Sequence, residues 1–146
     1  MFDLQLFAER LGEIIFDNRT NAIKTANALG VPKSTIYRYL NAQHMPSVEM
    51  LSKLADFFKC SVDFLIGLDD ENFATHFQKL PPFSERFRFI IKKFGVTKYR
   101  LVKDTGIHES TVYLWQNGQS KPTIESAVKL AEYFGCSVDY IIGREN

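Results

Sequence analysis

At 146 residues and a formal net charge of +1, the chain has room for one domain or two small ones. Its opening, MFDLQLFAERLGEII, lacks a basic leader and carries acids early, which argues against a signal peptide. No run of about 18 apolar residues is present to span a membrane, so a cytoplasmic location is expected.

In chain order, a first helix is expected from about Leu4 to Asp17 and a second over about Asn21–Leu29. A third covers Lys33–Leu40, a fourth Val48–Phe58 and a short fifth Val62–Ile66. Gly30 separates the second from the third. Pro32 stands at the entrance to the third, where its fixed φ and missing N–H do no harm.

Residues 69–82 differ from what precedes them. Phe73, Phe77 and Leu80 stand at i, i+4 and i+7, which predicts a short helix packed on a domain. Pro81-Pro82 then forces an extended break. A semi-rigid connection is expected, partly helical, between domains at 1–68 and 83–146.

Beyond it, Ser84 is placed to cap a helix from Glu85 to about Phe94, with Phe87, Ile90, Ile91 and Phe94 on one face. Gly95 suits the left-handed residue after it. Thr97 caps the next helix, with Leu101 and Val102 inward, and Gly106 ends it. Another runs from His108 or Glu109 to about Gln116, with Val112 and Trp115 inward. Lys121-Pro122-Thr123 starts a fourth, whose apolar positions are Ala127, Val128, Leu130, Ala131 and Phe134. Ser137 caps a short fifth, Val138–Ile142. Nothing alternates with strand period, so the expected class is all-α.

These two sets of helices are one unit written twice. Residues 7–67 align with 83–143 at a constant offset of 76, without a gap, and 23 of the 61 pairs are identical. The identities include Ser34-Thr35-x-Tyr37 with Ser110-Thr111-x-Tyr113, and Cys60-Ser-Val-Asp63 with Cys136-Ser-Val-Asp139. So long a period is not that of a solenoid. A surface needed twice suits a partner that is itself repeated, such as duplex DNA.

Charge follows the repeat. Residues 18–48 hold Arg19, Lys24, Lys33 and Arg38 and no acid, a net +4. Residues 92–124 hold six basic residues against Asp104 and Glu109, again +4, which leaves −7 for the rest. Two basic windows at matching places on a near-neutral chain are the footprint of phosphate binding. Cys60 and Cys136 read as small buried residues rather than ligands, because two isolated cysteines match no zinc spacing. His44, His76 and His108 share no metal or triad spacing and read as surface residues. No paired carboxylates and no phosphate loop are visible, so catalysis is not expected.

The segment from each second helix through each third has a mechanical logic. Two short helices meet at a glycine turn, and the later one is held with its N-terminal half outward. Ala26, Val31, Ile36 and Tyr39 face in, as do Val102, Ile107, Val112 and Trp115. Lys33, Ser34, Tyr37 and Arg38 then face out, with Glu109, Ser110, Tyr113 and Leu114 in the second copy. Such a helix fits a major groove about 12 Å wide.

From Thr97 to Gly118, then through Pro122 to Cys136-Ser-Val-Asp-Tyr-Ile141, the chain resembles the lambda-repressor/Cro type of helix-turn-helix, the xenobiotic-response-element family of bacterial regulators. The resemblance spans nearly all of both repeats and implies two tandem five-helix domains. It implies base contacts for Lys33, Ser34, Tyr37 and Arg38, and for Glu109, Ser110 and Tyr113. It implies phosphate contacts for Asn21, Lys24, Asn41 and Gln43, and for Thr97, Lys98, Asn117, Gln119 and Lys121. Helix N-termini and lysines suit that role. The first repeat departs from the pattern with Ala42 and Lys59 where glycine is usual, and with polar Thr25 opposite Leu101. The second departs with Glu109, which can accept from cytosine N4 but repels phosphate.

The function implied is sequence-specific binding of double-stranded DNA by a regulator of transcription, as a repressor. Each repeat would read one half-site, in a homodimer or a pseudo-dimeric monomer. The alternative keeps one repeat on DNA and gives the other to a protein partner, as in an antitoxin. No cofactor or metal is expected. The two domains and their link occupy the whole sequence, so control is expected from a partner protein rather than a small ligand.

Overall fold

A computed structural model describes residues 1–72 and 76–146. The chain divides into two compact units, Phe2–Thr75 and His76–Asn146. Helices in the first are α1 (Leu4–Asp17), α2 (Ala22–Leu29), α3 (Lys33–Leu40), α4 (Val48–Phe58) and α5 (Val62–Leu65). Those in the second are α6 (Phe83–Phe94), α7 (Lys98–Thr105), α8 (Glu109–Gln116), α9 (Ile124–Phe134) and α10 (Val138–Ile142). No strand occurs among the described residues. None of the described helices is long and apolar enough to cross a membrane.

Local chemistry sets the helix ends. Asn21 and Thr97 stand at matching places, and their side chains accept from the amides of Lys24 and Arg100. Ser47 and Thr123 cap α4 and α9 the same way, as Ser61 and Ser137 cap α5 and α10. Each satisfies a donor that has no partner inside its helix. Ser84 does not cap α6 as expected. The helix begins two residues earlier, at Phe83, with Pro82 as a cap that makes no side-chain bond. The pyrrolidine ring already holds φ at −56°, so the helix can start without a capping hydroxyl.

Each unit buries its own core. In the first, Phe7 and Leu11 of α1, Ile36 and Tyr39 of α3, and Leu51, Leu54 and Leu65 are all buried. The Phe7 ring stands edge-on to Tyr39 at 5.8 Å. In the second, Phe83 and Phe87 each stand edge-on to Trp115 at 5.7 Å. Burial pushes the Tyr39 phenol above its ordinary range. Cys60 is buried and Cys136 half-buried, and neither forms a disulfide.

Three turns show how far the backbone of the two units agrees. Arg19, Ala42 and Lys59 have φ of 54°, 54° and 56°, in the left-handed region. Their counterparts are Gly95, Gly118 and Gly135, at 63°, 74° and 67°. The first unit keeps the turn and bears the steric cost of a Cβ there. Thr25, the polar residue opposite Leu101, is fully buried at 0% exposure. Its hydroxyl donates to the Asn21 carbonyl at 2.8 Å, so its burial leaves no donor unsatisfied.

Residues 76–82 belong with the second unit and form no helix. The helix expected around Phe73, Phe77 and Leu80 is therefore absent from its described part, and Phe73 lies outside the described residues. Phe77 instead lies against Arg144, whose guanidinium carbon is 4.2 Å from the ring centroid. The Gln78 amide donates to the Arg144 carbonyl at 2.8 Å, and its side chain to the Gly143 carbonyl at 2.8 Å. Arg144 itself is buried and paired with Asp139. Side-chain docking thus wins over the helical spacing.

Candidate nucleic-acid interface

The geometry starts at Gly30. It ends α2 with φ 69°, and the chain turns back at once, the Val31 amide donating to the Ala26 carbonyl at 3.0 Å. Pro32 then opens α3 in an extended conformation. Since Ile36 and Tyr39 are buried, Lys33, Ser34, Tyr37 and Arg38 are exposed, Tyr37 by 44%. The four residues expected to face outward therefore share one open face of α3. Asn21 and Lys24, at the start of α2, and Asn41 and Gln43, just after α3, are also exposed.

The second unit repeats this arrangement with different chemistry. Gly106 ends α7 with φ 73°, and Ile107 is buried in the turn. Val112 and Trp115 are buried, while Glu109, Ser110, Tyr113 and Leu114 are exposed, Tyr113 by 61% and Leu114 by 37%. Thr97, Lys98, Asn117, Gln119 and Lys121 are exposed as well. Val102, expected to face inward, is only half-buried, whereas its neighbour Leu101 is fully buried.

Several of these side chains already have work within the fold. Asn21 Oδ1 accepts from the backbone amide of Lys24, which leaves the side-chain NH2 as a donor. The Thr97 hydroxyl oxygen accepts from Arg100 at 3.1 Å. Lys98 donates to Gln116 Oε1, linking the start of α7 to the end of α8. His108 caps α8, with Nδ1 2.9 Å from Ser110 Oγ, so Ser110 is partly engaged by its own helix.

Charge differs between the two faces. Lys33 and Arg38 make the α3 face cationic, and Glu109 adds an acid to α8. Arg100 pairs with Asp104 one turn along α7, at 3.1 Å. The Tyr133 hydroxyl donates to the same carboxylate at 2.6 Å. That bond, followed by Arg100, holds the Asp104 carboxyl below its ordinary range.

Two short helices joined by a left-handed glycine, with an open polar face on the second, thus occur once per unit. The helix-turn-helix family model matches the chain twice, over residues 21–65 and 88–141. The chain belongs to the lambda-repressor type of helix-turn-helix proteins. That membership places it among DNA-binding regulators of transcription. α3 and α8 are the second helices of its two helix-turn-helix motifs. No curated protein and no solved structure matches the chain.

Sequence reading passed over one pair of residues. Arg10 and Arg86 are identical across the repeats, yet neither lies in a basic window. Arg10 donates to the Phe64 and Asp69 carbonyls at 2.6 and 3.0 Å. Arg86 donates to the carbonyls of Tyr140 and Glu145, at 2.5 and 2.9 Å. These are the same two carbonyls one repeat apart. Their identity between copies was the available signal, but no local pattern announces a bond across more than fifty residues.

Proposed function

We propose that this helix-turn-helix protein is a sequence-specific repressor that reads two different half-sites of duplex DNA with α3 and α8, in the cytoplasm and without a cofactor. The observation that carries the reading is that both helices bury the same positions and expose the same positions, yet expose different chemistry. Lys33 and Arg38 on α3 suit guanine O6 and N7. Glu109 on α8 suits the cytosine N4 amine, and Tyr113 and Leu114 suit thymine methyls. Ser34 and Ser110 add a hydroxyl at matching places.

Phosphate contacts would hold the register. In the first domain these are Asn21, Lys24, Asn41 and Gln43; in the second, Thr97, Lys98, Asn117, Gln119 and Lys121. Two readers on one chain raise affinity through effective concentration, so a monomer can act as a pseudo-dimer. Selection from a randomised duplex library at about 150 mM salt, where non-specific binding is weak, tests the reading. Two distinct motifs at a fixed spacing are expected. One short motif alone would reject the two-reader version.

A second reading is favoured by Glu109 and by Leu114, which is 37% exposed. Here the second domain has left DNA for a protein partner. Alanine at Lys33 and Arg38, against alanine at Glu109 and Ser110, separates the two. Equal loss of DNA affinity supports two readers, and loss from the first pair alone supports the converted domain.

A further inference from the structure

The two helix-turn-helix motifs differ in the residues between their helices. In the first, Ala22 and Ala26 of α2 are buried, and α2 packs directly on α3. In the second, the matching residues are Lys98 and Val102. A groove of about 500 Å³ lies between α7 and α8. It is lined by Lys98, Tyr99, Val102, Lys103, Glu109 and Tyr113, over a floor completed by Val112. That volume lies in the range of small-molecule sites, about 300–1,000 Å³.

We propose that this α7–α8 groove binds a small aromatic carboxylate, which competes with DNA for the second domain only. Three observations select the ligand class. Tyr99 is 77% exposed and Tyr113 61% exposed, so both rings offer free faces to a planar group. The two valines give an apolar floor. Two lysines stand against one glutamate, so the lining carries a net charge of +1 and favours a monoanion. Lys98 is held at the wall by its bond to Gln116, which places its ammonium there before any ligand arrives. Since Glu109 and Tyr113 belong to both the groove and the outward face of α8, an occupied groove withdraws them from a base pair. Such a site needs no separate ligand-binding domain.

The test uses the full chain without DNA and salicylate as the probe, at about 150 mM salt to suppress loose ion pairing. Amide resonances are followed by NMR. Saturable shifts confined to residues 97–116 are expected, with affinity weakened at least about tenfold, or 1.4 kcal/mol, in Tyr99→Ala and in Lys103→Gln. Both side chains are exposed, so both variants keep the fold, which the unshifted remainder of the spectrum verifies. Salicyl alcohol, which keeps the ring and loses the carboxylate, should bind no tighter than those variants. Non-saturating shifts, shifts spread equally over both domains, or unchanged affinity in both variants would overturn the proposal. Because binding is read without DNA, its failure leaves the two-reader function standing; the competition with DNA rests on the second domain being a reader.

Discussion

Arg86 lies over the ring of Tyr140, 4.7 Å from its centroid, while donating to the backbone carbonyl of the same residue. Arg10 treats Phe64 identically, at 4.1 Å. Each arginine therefore ties the first helix of its domain to the end of the last. A four- or five-residue helix leaves most of its carbonyls without intrahelical partners, and a cation is favoured at that end. Arg86→Ala would leave the two part-buried carbonyls of Tyr140 and Glu145 without this donor. It should destabilise the second domain by about 3 kcal/mol, read as a lower urea midpoint, whereas Arg86→Lys should recover only part of the loss because one ammonium cannot fork between two carbonyls. Wild-type stability for Arg86→Ala would refute this role.

The left-handed turns of the first domain predict the opposite sign. Lys59 has φ 56° where the second domain has Gly135. Lys59→Gly removes a Cβ from a strained position and should stabilise by about 0.5–1 kcal/mol. For a domain of this size that corresponds to a rise of roughly 2–8 °C in the midpoint of thermal unfolding. Calorimetry that finds no rise would show that the turn carries no strain.

The recognition face makes two separable predictions. Arg38→Ala should cost about 1–3 kcal/mol on the selected site and relax preference at one base pair. Lys24→Ala should weaken binding to all sequences alike and reduce the slope of log K against log salt by about 0.9. Titrations at several salt concentrations distinguish them. A uniform loss for Arg38→Ala would move that residue from base to phosphate.

The strap at 76–82 can be released. Phe77 on Arg144 and the two Gln78 bonds hold the chain around Lys79 to the second domain. Trypsin should cut slowly at Lys79 in the wild type and several-fold faster in Phe77→Ala. Equal rates would mean that the docked backbone does not protect the bond. Gly143 adds a steric check, since a Cβ there would come within 2.6 Å of Pro81 Cγ. Gly143→Ala should therefore loosen the same strap.

Much of the fold was legible from the residues alone, because its cues are local. Capping residues, glycine turns and apolar spacing place α1, α3, α4, α8 and α10 within their observed bounds. The burial of Ile36 and Val112 settles which residues α3 and α8 expose. The family likewise follows from one pattern met twice. What the chain could not reveal depends on partners distant in sequence or on packing volume. The bonds of Arg10 and Arg86 cross from first helix to last, and Phe77 meets Arg144 rather than continuing a helix. The α7–α8 groove is lined by residues of both helices, so it exists only once they are packed. Periodicity and capping are properties of a short stretch of chain, whereas close packing is a property of the assembled interior.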